Sequence, residues 1–161
     1  MSFDLFLQAF DTGASAPIDR ASVLAVLRQH NQDSADRFGF YLVQFADGSH
    51  IEFSAKGLES GEDFTGCAFH IRGFSPAALS FIYDVATVGN MVIFNAQGSD
   101  TVSDPLVMLT APSQLAHLPE GAGANPVLCS SAVELARLLG VGFEKWENYR
   151  DQVNSTTTTS R

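Results

Sequence analysis

His50, Glu52, His70 and Arg72 are the residues whose types and spacing come closest to chemistry. They fall in two runs, His50-Ile-Glu52-Phe and Phe69-His70-Ile-Arg72, where apolar and polar residues alternate. A period of two puts His50 and Glu52 on one face of a strand, and His70 and Arg72 on one face of another. If the two strands are neighbours, all four side chains share a face. Two imidazoles, a carboxylate and a guanidinium would suffice for an anion-binding or acid–base site. The same pattern also describes the solvated face of an antiparallel sheet, where cross-strand pairs of opposite charge are ordinary.

No catalytic residue can be named beyond that cluster. His30, His50, His70 and His117 are scattered without H-x-x-x-H or H-E-x-x-H spacing, so neither a metal nor any other cofactor is expected. Cys67 and Cys129 stand apart from the histidines, in runs that read as buried strands. Both are expected to be reduced structural thiols. Ser75 follows Gly73-Phe74 and does not sit in a nucleophile elbow. Gly121-Ala122-Gly123 lies between elements, and there is no phosphate-binding loop.

The elements that must position the four residues read from Phe40 onward. Phe40–Phe45 and His50–Phe53 alternate around Asp47-Gly48, which marks a β-hairpin because these residues tolerate the left-handed backbone of a tight turn. Phe40 and Leu42 on one face of the first strand, with Tyr41, Val43 and Phe45 on the other, suggest a strand inside the sheet and covered on both sides. Thr65–Arg72 is a further strand, and Ser2–Phe10 a strand at the start of the domain.

Asp19 caps a helix to about His30. Ser75 and Pro76 open a second helix to Val88, with Gly89 placed as its C′ residue. Met91–Phe94, Leu106–Leu109 and Pro126–Cys129 read as short strands, with one or two helical turns between Pro112 and Leu118. Ser131-x-x-Glu134 is a capping box for a helix that Gly140 stops, and a last helix covers Phe143–Val153. The expectation is an α+β fold: a mostly antiparallel or mixed sheet of about 6–7 strands with 3–4 helices packed on it. Residues 1–153 form one domain, and 154–161 (NSTTTTSR) a disordered tail.

Composition narrows function by exclusion. The 161 residues carry a net charge of −9 with 13 phenylalanines. Such a surface repels phosphate backbones, so no nucleic-acid partner is expected, and it suits a basic protein partner. No apolar run approaches the roughly 20 residues of a membrane helix, and the N-terminus lacks a basic leader. The expected setting is cytoplasmic, with no membrane partner. The acidic loop with Glu59, Glu62 and Asp63 is a candidate contact for a basic partner. Trp146, in the stripe Phe143–Trp146–Tyr149, is a candidate interface anchor if exposed and otherwise docks the last helix.

The opening MSFDLFLQAF, the ADGS hairpin, the FHIRGFSP unit and the closing GFEKWENYR resemble small uncharacterised single-domain bacterial proteins. In size, acidity and layout the chain is similar to toxin-immunity proteins. That resemblance implies a stoichiometric role: binding another protein, neutralising a basic one, or pairing with itself as a homodimer. It assigns no functional residue. The expectation is therefore a non-catalytic protein-binding module, with a small-molecule or anion binder or enzyme at the His/Glu/Arg cluster as the alternative.

Overall fold

A computed structural model describes residues 2–158. In chain order it contains β1 (Phe3–Gln8), a small hairpin of β2 (Phe10–Asp11) and β3 (Ala14–Ser15), and α1 (Arg20–Arg28). There follow β4 (Phe40–Gln44), β5 (His50–Ser54), β6 (Gly66–Ile71) and α2 (Pro76–Val88). The second half has β7 (Val92–Asn95), β8 (Val107–Leu109), a 3-10 helix (Pro112–His117), β9 (Val127–Leu128) and α3 (Ala132–Thr158). Seven strands form one sheet in the order β4-β5-β6-β1-β7-β8-β9, antiparallel except for the final β8–β9 pair. The fold is the expected α+β class with a mixed sheet.

Alternation along the strands decides which face the helices cover. Phe3, Leu5 and Leu7 of β1, Phe69 and Ile71 of β6, and Ile51 and Phe53 of β5 point into one core with the inner faces of all three α-helices. Phe81 of α2 is a hub there: its ring lies 5.8 Å from Phe45, 5.8 Å from Phe53 and 5.7 Å from Phe69. Truncating such a ring to alanine costs about 3–5 kcal/mol in lost transfer energy and cavity. On the opposite face, Val92, Val107 and Leu109 form a smaller cluster under Phe10, Phe94 and Leu118. The β2–β3 hairpin and the 3-10 segment thus cover the β7–β8 end, and the face over β4, β5, β6 and β1 is left without a helix.

Local chemistry sets the element ends. Phe45 N donates to Ser49 O, Gly48 N donates to Phe45 O, and Gly48 takes φ +85°, so the hairpin closes through a three-residue loop with glycine in its left-handed position. Ser49 Oγ is 2.8 Å from Ser75 Oγ, and Ser75 also accepts from Ala78 N at 3.0 Å. The tip of the hairpin is therefore fixed to the N-cap of α2.

Four expectations change. β4 is not interior: it is the edge strand, and its outward Leu42 is 51% exposed. The loop before it runs alongside, with Asn31 Nδ2 donating to Leu42 O at 2.8 Å and Asp36 N donating to Phe40 O at 2.9 Å. Gly89 ends α2 in a right-handed conformation, and Asn90 takes the left-handed turn at φ +50°. Space at 89 is tight: a Cβ there would lie 3.1 Å from Ile18 Cγ2 and 3.2 Å from Val85 O and would push aside the flexible end of Met91. Gly140 does not stop a helix: α3 runs unbroken from Ala132 to Thr158. Leu135, Leu138 and Leu139 before the glycine and Phe143 and Trp146 after it pack on one core, which outweighs the propensity cost of glycine. Of the expected tail, residues 154–158 continue this helix, and 159–161 lie outside the described residues.

Candidate functional site

The register of the sheet lays out the uncovered face in two rows. In the first, Phe40, Ser54, Ala68 and Phe6 stand side by side on β4, β5, β6 and β1, and the row continues into the covered end through Phe94 of β7 and buried Val107 of β8. In the second, Leu42, Glu52, His70 and Asp4 stand side by side on β4, β5, β6 and β1. An aromatic row thus borders a charged one. Phe6, in the middle of the sheet, is 45% exposed, and its row neighbours toward β4 are the small Ala68 and Ser54.

Three of the four sequence-predicted residues meet in the second row. Glu52 and His70 are direct cross-strand partners, and Arg72 Nη2 reaches Glu52 Oε1 at 3.5 Å. His50 lies two residues before Glu52, opposite Gln44, exposed at the strand end. Asp4 was missed: its Oδ1 is 2.8 Å from His70 Nδ1 and accepts from Ser2 Oγ at 2.6 Å. The alternation of β1 does put Asp4 on the polar side, but only the pairing of β1 with β6 brings it to His70. The His70 ring also lies 5.6 Å from Phe40, reaching over Ser54.

Chemically, a carboxylate on Nδ1 orients the imidazole and leaves Nε2 facing outward, an arrangement that can accept or relay a proton. Among the described residues, however, the His70 side chain has no hydrogen-bond partner besides Asp4. Among the described residues there is also no group of three metal-ligating side chains close enough to hold an ion. The Glu52–Arg72 pair is solvent-facing, of the kind worth about 0–1 kcal/mol.

The residues expected at an interface separate. Glu59 stays exposed but is engaged within the chain, with Arg28 Nη2 donating to its Oε1 at 2.6 Å and Tyr41 OH to its Oε2 at 2.5 Å. Burial and the adjacent Glu59 carboxylate push the Tyr41 phenol well above its ordinary range. Glu62 and Asp63 are exposed, and Arg20 binds the Gly57 and Glu62 carbonyls beneath them. Trp146 is not an interface anchor: it is 8% exposed, packed edge-on to Phe3 at 6.3 Å and covered by Arg150 at 4.9 Å. The last helix turns it inward, so it docks α3 on the sheet.

The residues that sequence reasoning passed over are the exposed aromatics, Phe6 and Phe38, the latter 61% exposed in the loop before β4. Phe6 carried a signal, an aromatic on the polar side of an alternating strand. Compared with protein-family models, curated proteins and solved structures, the chain gives no match.

Proposed function

We propose that the protein is a non-catalytic binding module whose uncovered sheet face docks a basic protein partner. The observation that carries this is Phe6, 45% exposed in mid-sheet with half-buried Phe40 and Phe94 in its row, on a face that no helix covers over β4, β5, β6 and β1. Contiguous exposed apolar surface rimmed by polar residues is a mark of protein–protein contact, and aromatic side chains dominate the energetics of such contacts. Charge sets the sign of the partner. The chain has a net charge of −9, and Asp4, Glu52, Asp33 and Asp36 lie on or beside this face. A complementary basic partner gains encounter rate and register from that field. A stoichiometric, immunity-like inhibitor of a basic protein is the specific form of this reading.

The test is a photo-crosslinking amino acid at position 6, compared in cells with the same group at Val133, which is exposed on the helix side. The expected result is a basic protein captured from position 6 and not from 133, whose binding as a purified protein weakens with Phe6→Ser and with salt. Identical captures from both positions, only acidic captures, or binding that Phe6→Ser leaves unchanged would overturn the reading.

A second reading rests on the Asp4–His70 contact: a small-anion or acid–base site that uses His70, Glu52 and Arg72. A cavity of about 610 Å³ opens beside these residues, but of the four predicted side chains only Glu52 lines it. The docking face therefore fits the geometry better.

A further inference from the structure

The cavity beside the edge strand gives the partner reading a specific chemistry. We propose that the groove between β4 and the loop of residues 31–38 receives an arginine side chain of the basic partner. This rests on the docking reading above and adds to it.

The groove has a volume of about 610 Å³, and its walls include Phe38, Phe40 and Leu42 together with Asp33, Asp36 and Glu52. No lysine or arginine lines it; Glu52 is paired from outside by Arg72 at 3.5 Å, which leaves Asp33 and Asp36 as the carboxylates without a cationic partner in the groove. The carboxylates are held apart for different reasons. Asp36 Oδ1 accepts from Phe38 N at 2.8 Å and Phe40 N at 3.0 Å, which fixes the side chain and leaves its second oxygen for a ligand. The Asp33 carboxylate accepts no hydrogen bond among the described residues; only its backbone is engaged, the carbonyl by Arg28 at 2.8 Å and the amide by Asn31 Oδ1 at 2.8 Å. Glu52 lies across the groove on β5.

Spacing argues for the kind of cation. These carboxylates do not converge closely enough to ligate a metal ion, among the described residues. They line an open groove together with Phe38 and Phe40 instead. A planar guanidinium suits such a groove, because it stacks on ring faces and forks onto carboxylates at its edge, whereas an ammonium is a compact, strongly hydrated point charge. The chain's own Arg37 already stacks on one side of that ring, Cζ 4.6 Å from the Phe38 centroid, so the partner's guanidinium would take the other face or displace it.

The probes are acetylated, amidated Gly-Arg-Gly, Gly-Lys-Gly and Gly-citrulline-Gly peptides, titrated into the full chain at low salt and followed by amide NMR shifts. The arginine peptide is expected to saturate with shifts confined to residues 31–42 and Glu52, at least threefold tighter than the lysine peptide. The citrulline peptide, isosteric but uncharged, should not bind. Asp33→Asn and Phe38→Ala should each weaken the arginine peptide at least fivefold while the spectrum elsewhere is unchanged. Shifts scattered over other acidic loops, no saturation, or variants that bind like the parent chain would overturn the assignment. The two readings fail separately. Loss of peptide binding with position-6 capture intact removes the groove alone, and capture that fails while the peptide binds removes the docking face.

Discussion

Replacing Gly140 by alanine tests the continuity of α3 directly. In the structure Gly140 lies within the helix, its φ is not positive, and a Cβ built on it meets nothing within 4 Å. Alanine there gains helix propensity and restricts the unfolded chain, for about 0.5–1 kcal/mol of added stability. For a chain of this size that corresponds to roughly 1–4 °C in Tm. Gly142 is the internal control. A Cβ at Gly142 would lie 3.3 Å from Asp104 Oδ1 and 3.6 Å from Asn95 Nδ2. Both polar atoms are buried without a hydrogen-bond partner among the described residues. Setting a methyl against buried polar groups costs about 1–3 kcal/mol, which offsets the same helix gain. Gly142→Ala is therefore expected to be neutral to about 2 kcal/mol destabilising. Denaturant unfolding of both variants with unchanged m values provides the measurement. If Gly140→Ala destabilises, the helix is broken there as the sequence suggests, and if Gly142→Ala gains as much as Gly140→Ala, the packing argument at Asp104 is wrong.

Two further outcomes follow from buried ionisable groups. Of the three tyrosines, Tyr41 is expected to remain un-ionised on alkaline titration after an ordinary phenol has lost its proton near pH 10, its phenolate absorbance appearing only on unfolding. Because its folded-state value is raised, its contribution to stability is whole below about pH 10 and fades as pH climbs toward that raised value; Tyr41→Phe should remove this alkaline loss. Burial pushes the Cys129 thiol up to about 11 and the Cys67 thiol higher still, with Cys67 Sγ facing the core 3.9 Å from Met91 Sδ. Neither should react with a disulfide reagent at neutral pH in the folded chain, and both should react once it is denatured; rapid labelling of the native protein would contradict the packing.

What the sequence makes legible here is local. The Ser75-Pro76 start of α2, the Asp19 cap of α1 and the 40–53 hairpin each depend on residues within one turn of each other, and each is where its chemistry puts it. The pairing of β5 with β6 also holds, which is why Glu52 and His70 meet. Long-range order is what hid the rest. Asp4 reaches His70 only because β1 inserts between β6 and β7, a choice no short stretch records. Gly140 reads as a stop until Phe143 and Trp146 are known to pack on Phe3, 5.7 and 6.3 Å away. Apolar residues on both sides of β4 suggest an interior strand, whereas Leu42 and Phe40 face outward from the edge of the sheet. Trp146 docks inward and Phe6 is exposed for the same reason: exposure follows from which elements are neighbours.

The latch of Asn31 and Asp36 onto β4 bears on how the protein ages. Phe40-Tyr-Leu-Val-Gln44 is uncharged, proline-free and aromatic, the composition that templates intermolecular sheet growth when its outward amides and carbonyls are open. In the folded chain the loop occupies part of that template, so molecules at high concentration meet a capped end rather than a growing one. Asn31 is the part of the cap open to slow chemical change, since deamidation would replace a donor facing the Leu42 carbonyl with a carboxylate and repel it. Losing that amide would uncover the Leu42 carbonyl while Asp36 N still holds Phe40 O, so the cap on β4 fails in two separable halves.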